Sequence, residues 1–130
     1  MIPEAVLRKF DNTTADSYTV ASVEVTRWEQ FGLGELMPFN AMWYVVPPGD
    51  SSPVDCHPER ELSLVVSGRA VVHAAGRRTE VRQGGAFLLD VDEDHMVVNP
   101  SADEPLVVFS AYWMAAEDAP IAPAEQVAHA

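Results

Sequence analysis

Positive charge is scarce in this sequence: eight Lys and Arg stand against twenty Asp and Glu, a formal net charge of −12. So acidic a surface repels polyanions, which excludes nucleic acid and an anionic membrane as partners. Cysteine is nearly missing as well. Cys56 is the only one, so no intrachain disulfide can form and nothing points to an oxidising compartment. No apolar run approaches the roughly 18 residues of a membrane helix, and Met1-Ile2-Pro3-Glu4 lacks the basic start of an export signal. A soluble, cytoplasmic protein is expected. Helical periodicity is the last absence: from Ala41 to Met114 no stretch of about ten residues carries a helical apolar stripe.

What remains is a pattern of strands. The 130 residues, 48% hydrophobic, suit one compact domain. Residues 1–39 read as an N-terminal arm, a strand and a loop. In the strand, Thr19 to Thr26 alternates, with Val20, Ser22, Glu24 and Thr26 on one side and Thr19, Ala21, Val23 and Val25 on the other. Gly32, Gly34 and Pro38 punctuate the loop.

Residues 40–114 hold the core. Ala41 to Val46, Glu61 to Val66, Ala70 to Ala74, Thr79 to Arg82, Ala86 to Leu89, His95 to Val98 and Leu106 to Met114 are short, β-prone and separated by turn residues. Such strands bury one face only against another sheet, which predicts an all-β sandwich or barrel. Residues 115–130, rich in Ala, Pro and acid, are expected to form a flexible tail.

Two of the four histidines stand beside other ligand types. In Asp55-Cys56-His57 the strand period turns Asp55 and His57 to one face and Cys56 to the other, so Cys56 is expected to be a packed, inert thiol. Glu61 follows His57 by four residues, and His95 opens a strand after a polar turn. Imidazole and carboxylate together suit Zn, Fe, Mn or Ni. His73 and His129 are expected to be structural or surface residues, and Asp90 and Asp92 to be part of a solvated turn. Trp28, Phe39, Met42, Trp43, Tyr44, Phe87, Phe109, Tyr112 and Trp113 are first of all core or interface side chains. Tyr44 and Tyr112 are also candidates for orienting a substrate or donating a proton.

The spacing Gly49, five residues, Asp55-Cys56-His57, three residues, Glu61, six residues, Gly68 resembles the first motif of the cupin family, with Asp55 replacing its first histidine. The second motif is matched by Gly84, five residues, Asp90, one residue, Asp92, two residues, His95, three residues, Asn99. Here Asp90 and Asp92 stand for the family's proline and middle glycine. The fifteen residues between Gly68 and Gly84 match the spacer of small single-domain cupins.

The resemblance implies a jelly-roll barrel, or double-stranded β-helix, with one divalent metal ion on His57, Glu61 and His95 and Asp55 in a fourth position. Asp55 or Glu61 would move a proton. The implied function is a metal-dependent conversion of a small chelating metabolite, non-redox in kind: isomerisation or epimerisation, cyclisation, elimination or rearrangement. Short cupins of this sort resemble bacterial natural-product tailoring enzymes. An Fe(II)-dependent dioxygenase and a non-catalytic ligand-binding cupin are the alternatives. A homodimer, with the arm and the Thr19 to Thr26 strand covering a sheet edge, is the expected assembly.

Overall fold

The computed structural model describes residues 7–32 and 34–115. Among these residues nine strands run in chain order: β1 (Tyr18–Val20), β2 (Val23–Arg27), β3 (Asn40–Val46), β4 (Glu59–Ser67), β5 (Arg69–Ala74), β6 (Arg77–Arg82), β7 (Ala86–Leu89), β8 (His95–Val98) and β9 (Leu106–Met114), with a 3-10 turn at Trp28–Phe31. A six-stranded sheet, ordered β1-β2-β3-β9-β4-β7, faces a three-stranded sheet, β6-β5-β8. Every pairing is antiparallel. This is the expected all-β jelly roll.

Strand alternation builds the core. On β4, Glu61, Ser63 and Val65 are buried while Leu62 and Leu64 are exposed, and on β9 Leu106, Val108, Ser110 and Tyr112 alternate with half-buried neighbours. Val46, Val65 and Val108 of the large sheet join Ala70, Val72 and Val97 of the small one in a single cluster. Burying a side chain of the Val or Leu class stabilises by about 1.5–3 kcal/mol, so this shared cluster is what holds the sheets together. Asn99 fastens one end. It is buried, and its amide nitrogen donates to the carbonyls of Val46 at 3.0 Å and Glu104 at 2.8 Å.

Two details differ from the sequence reading. Thr19 to Thr26 is not one strand but a tight hairpin, with Tyr18↔Val25 and Val20↔Val23 in register and Ala21 in the left-handed region at φ 53. The arm also lies over its own sheet. Phe10 packs 4.8 Å from Trp28 and 4.9 Å from Phe31, and Trp28 rests 5.1 Å from Phe109 (ring centroids). Residues 116–130, with His129, lie outside the described residues. Among the described residues no helix is long and apolar enough to cross a membrane.

Candidate metal centre

The backbone brings the site together. Asp55 and His95 form an isolated antiparallel bridge in which each N–H donates to the other's carbonyl at 2.9 Å. The N–H of Asp92 donates to the His57 carbonyl at 2.8 Å, tying the Asp55–His57 segment to the turn before β8. Asp92 has φ 55, a left-handed conformation that Asp tolerates better than most residues. It is the position where the cupin motif has glycine.

Asp55, His57 and His95 each offer a ligand atom within 4.8 Å of the others'. The imidazoles stand edge to face, with centroids 4.8 Å apart. Asp55 is therefore close enough to share an ion. Glu61, expected from the sequence as a third ligand, is not in this converging group; its Oε1 lies 3.2 Å from His57 Nε2.

The hydrogen bonds set the tautomers. His57 Nδ1 lies 2.9 Å from the Glu59 carbonyl oxygen and His95 Nδ1 lies 3.1 Å from that of Glu93. A carbonyl only accepts, so each Nδ1 carries a proton, and a ring in its neutral form then has its lone pair on Nε2. Buried His57 Nε2 has no hydrogen-bond partner among the described residues, even with the Glu61 oxygen so near. The contact is close but not aligned as a hydrogen bond. A lone pair facing a carboxylate oxygen is repulsive until a cation lies between them, so these residues fit a divalent ion.

Behind Glu61 runs a buried polar chain. Ser63 Oγ donates to Glu61 Oε2 at 3.1 Å and lies 2.7 Å from Ser110 Oγ. The buried Tyr44 hydroxyl lies near Ser110, Ser63 and Glu61. Because Ser63 gives its one proton to the carboxylate, Ser110 must donate to Ser63, and the chain of hydroxyls ends on Glu61. Burial, with the charge of Glu61, pushes the Tyr44 hydroxyl well above the ordinary tyrosine value. It keeps its proton.

Tyr112 is placed differently: its hydroxyl donates to Glu29 Oε1 at 2.6 Å and accepts from Arg27 Nη1 at 2.7 Å. Cys56 is exposed rather than packed. Residual desolvation and the charges of Asp94, Asp92 and Asp55 raise its thiol pKa, leaving little thiolate. Asp90 accepts from Arg60 Nε at 3.2 Å and from the Val91 N–H at 2.7 Å, while Asp92 is exposed, as a turn requires. His73, on β5, is not in the converging group.

A cavity of about 220 Å³ opens onto Asp55, Glu61 and His95. Valines, Met42, Tyr44, Tyr18 and Arg27 also line it. Arg27 and Tyr18 were not among the residues singled out from the sequence. The signal for Arg27 was present in the alternation of Val23 and Val25, which carried one step further turns Arg27 to the same side.

The model of the family described as "Cupin domain" matches residues 42–112. Solved structures agree in fold. A Cupin 2 conserved barrel domain protein from Salinispora arenicola is 27% identical, with a TM-score of 0.71 over 87% of this chain and 92% of that one. A protein described as a predicted oxalate decarboxylase from Thermotoga maritima is 16% identical, with a TM-score of 0.72 over 83% of this chain and 100% of that one. The polyketide cyclase RemF from Streptomyces resistomycificus is 18% identical, with a TM-score of 0.69 over 82% and 79%.

Proposed function

Because the chain belongs to the cupin family, we propose that it is a metal-dependent enzyme holding one divalent ion, Zn or Fe(II) before Mn or Ni, with His57, Glu61, His95 and Asp55. Its substrate would be a small chelating metabolite of bacterial specialised metabolism, and the reaction non-redox: an isomerisation, epimerisation, cyclisation, elimination or rearrangement. The unpartnered Nε2 of His57 facing the Glu61 carboxylate carries the reading. The fold likeness to a polyketide cyclase is in keeping with it.

When bound, such an ion supplies Lewis acidity to a chelated carbonyl or carboxylate. The protein's own groups do the rest. Glu61 Oε2 is taken by Ser63, which leaves Oε1 as the ligand oxygen and makes Glu61 a fixed anchor. Asp55 Oδ1 accepts from the Cys56 N–H at 2.9 Å, which leaves one oxygen, either for the ion or as the base that takes a proton from a substrate carbon. Tyr44 holds its proton beside the hydroxyl chain and keeps Glu61 oriented.

A homodimer belongs to the same proposal. Leu62, Leu64 and Leu88 are 41–47% exposed on the outer face of the six-stranded sheet, with Leu62 directly opposite Leu88. None of the outward strand positions of β4, β7 and β9 is acidic. In a chain of charge −12, this is a face on which two copies meet without repulsion. Light scattering at two concentrations would find twice the chain mass, and a monomer at both would overturn it.

Elemental analysis of protein purified without added metal tests the site. About one equivalent of Zn, lost in His57→Ala and His95→Ala, is the expected result. Iron would move the reading to dioxygenase chemistry. No metal under any loading condition would overturn it in favour of a non-catalytic binding domain.

A further inference from the structure

The cavity that opens onto the metal centre holds one Lys or Arg side chain, Arg27, in a chain with only eight such residues. It stands at the end of β2, following buried Val23 and Val25 at the strand period. Through the rungs Arg27↔Met42, Met42↔Ser110 and Ser110↔Ser63 it lies three strands from the metal-site strand β4, about 14 Å measured along the sheet. The wall of the same cavity includes Val20, Val25, Val97 and Met42.

The guanidinium is held by two phenols and paired with one carboxylate. Its Nε donates to the Tyr18 hydroxyl and its Nη1 to the Tyr112 hydroxyl, and the Tyr112 ring lies 5.6 Å beneath Cζ. Both acceptors are neutral phenols. Glu29 Oε2 lies 3.7 Å from Nη1, an ion pair without a direct hydrogen bond, and the other Glu29 oxygen is taken by Tyr112. The Nη2 N–H pair has no acceptor among the described residues. The side chain is 44% exposed, so it stands where the cavity meets solvent.

We propose that Arg27 is an anion subsite and that the cavity takes a monocarboxylate with an apolar body, the carboxylate on Nη2 and the body along the valine wall. As a statement about the substrate, this rests on the reading of the metal centre given above. The Nη2 N–H groups of a guanidinium can donate charge-assisted hydrogen bonds to a carboxylate oxygen. Glu29 beside it, with Asp55 and Glu61 further in, disfavours a dianion such as a phosphate monoester.

The test is an NMR titration of 15N-labelled protein, stripped of metal and separately Zn-loaded, with 3-phenylpropanoate and its neutral analogue 3-phenylpropanamide. In the metal-free protein no ion can attract the carboxylate, so any preference for it comes from Arg27. We expect the carboxylate to bind at least tenfold more tightly than the amide in both preparations and to shift the Arg27 Nε–H resonance. Arg27→Gln should bring the two ligands to parity, and Arg27→Lys should keep part of the preference. Equal affinity in the native protein, no binding of either ligand, or a preference surviving in Arg27→Gln would overturn the proposal. The native comparison stands even if a variant fails to fold. A carboxylate preference in a protein that takes up no metal would overturn the metal reading and leave the subsite standing.

Discussion

Tyr112 stands directly opposite Glu61 on neighbouring strands, yet its hydroxyl lies between Arg27 and Glu29. One residue thus joins the strand that carries Glu61 to the cation at the cavity entrance. Its ring packs under the guanidinium and its oxygen serves both charged groups, so Tyr112 acts as a positioning residue for Arg27.

Tyr112→Phe keeps the ring and removes that oxygen. The lost hydrogen bonds should lower stability by about 1 kcal/mol, read as a shift of the urea midpoint with unchanged slope. The same variant should weaken 3-phenylpropanoate binding while leaving metal content at the wild-type level. Loss of metal would instead place the hydroxyl in the metal centre.

Alkaline stability follows from the tyrosines. Burial, with Glu61, holds Tyr44 well above the ordinary value, and burial, with the Glu29 hydrogen bond, raises Tyr112 against the opposing charge of Arg27. Unfolded tyrosines ionise near pH 10. Above that the unfolded chain binds fewer protons than the folded one, so stability is intact below about pH 10 and falls as pH rises further. Tyr44 alone should contribute a loss of about 1.4 kcal/mol per pH unit. Urea midpoints measured from about pH 8 to about pH 11 should show this fall, and Tyr44→Phe should make it shallower.

Much of this was legible in the sequence because Val and Leu alternate cleanly in the core. Ala86 to Leu89, His95 to Val98 and Leu106 to Met114 are strands at the residues their pattern marked. The hairpin at Ala21-Ser22 was hidden because neither residue is a strong turn former and the alternation runs through it unbroken. His57, Glu61 and His95 were visible through spacing. Whether Asp55 comes close depended on its bridge to His95, a long-range pairing that local pattern does not encode. Arg27 was missed because an arginine at a strand end usually points its charge to water, and only the Tyr18 and Tyr112 hydroxyls, from two other strands, hold it at the cavity.

Ser63→Ala probes the support of Glu61. Without the hydroxyl, Glu61 Oε2 and Ser110 Oγ lose a partner inside a buried region, at a cost of about 1–3 kcal/mol. Ligand support of this kind is commonly worth 10–100-fold in metal affinity. Zn affinity, measured by competition with a chromogenic chelator, should therefore fall by at least about tenfold. Unchanged affinity would mean that Glu61 holds its place without Ser63.

Two motif glycines separate backbone strain from steric clash. Gly49 has φ +75 with nothing within 4 Å of an added Cβ, whereas Gly68 has φ +85 and its Cβ would meet the Pro105 carbonyl oxygen at 2.6 Å. Gly49→Ala should cost only the left-handed backbone, about 1 kcal/mol. Gly68→Ala adds a collision with main chain that no rotamer change relieves, so the β4–β5 turn must move away from the start of β9. A loss of about 3 kcal/mol or more is expected there. Urea denaturation of the two variants side by side checks the difference. Equal losses would mean that the Pro105 segment yields freely, and that Gly68 is required for its backbone conformation alone.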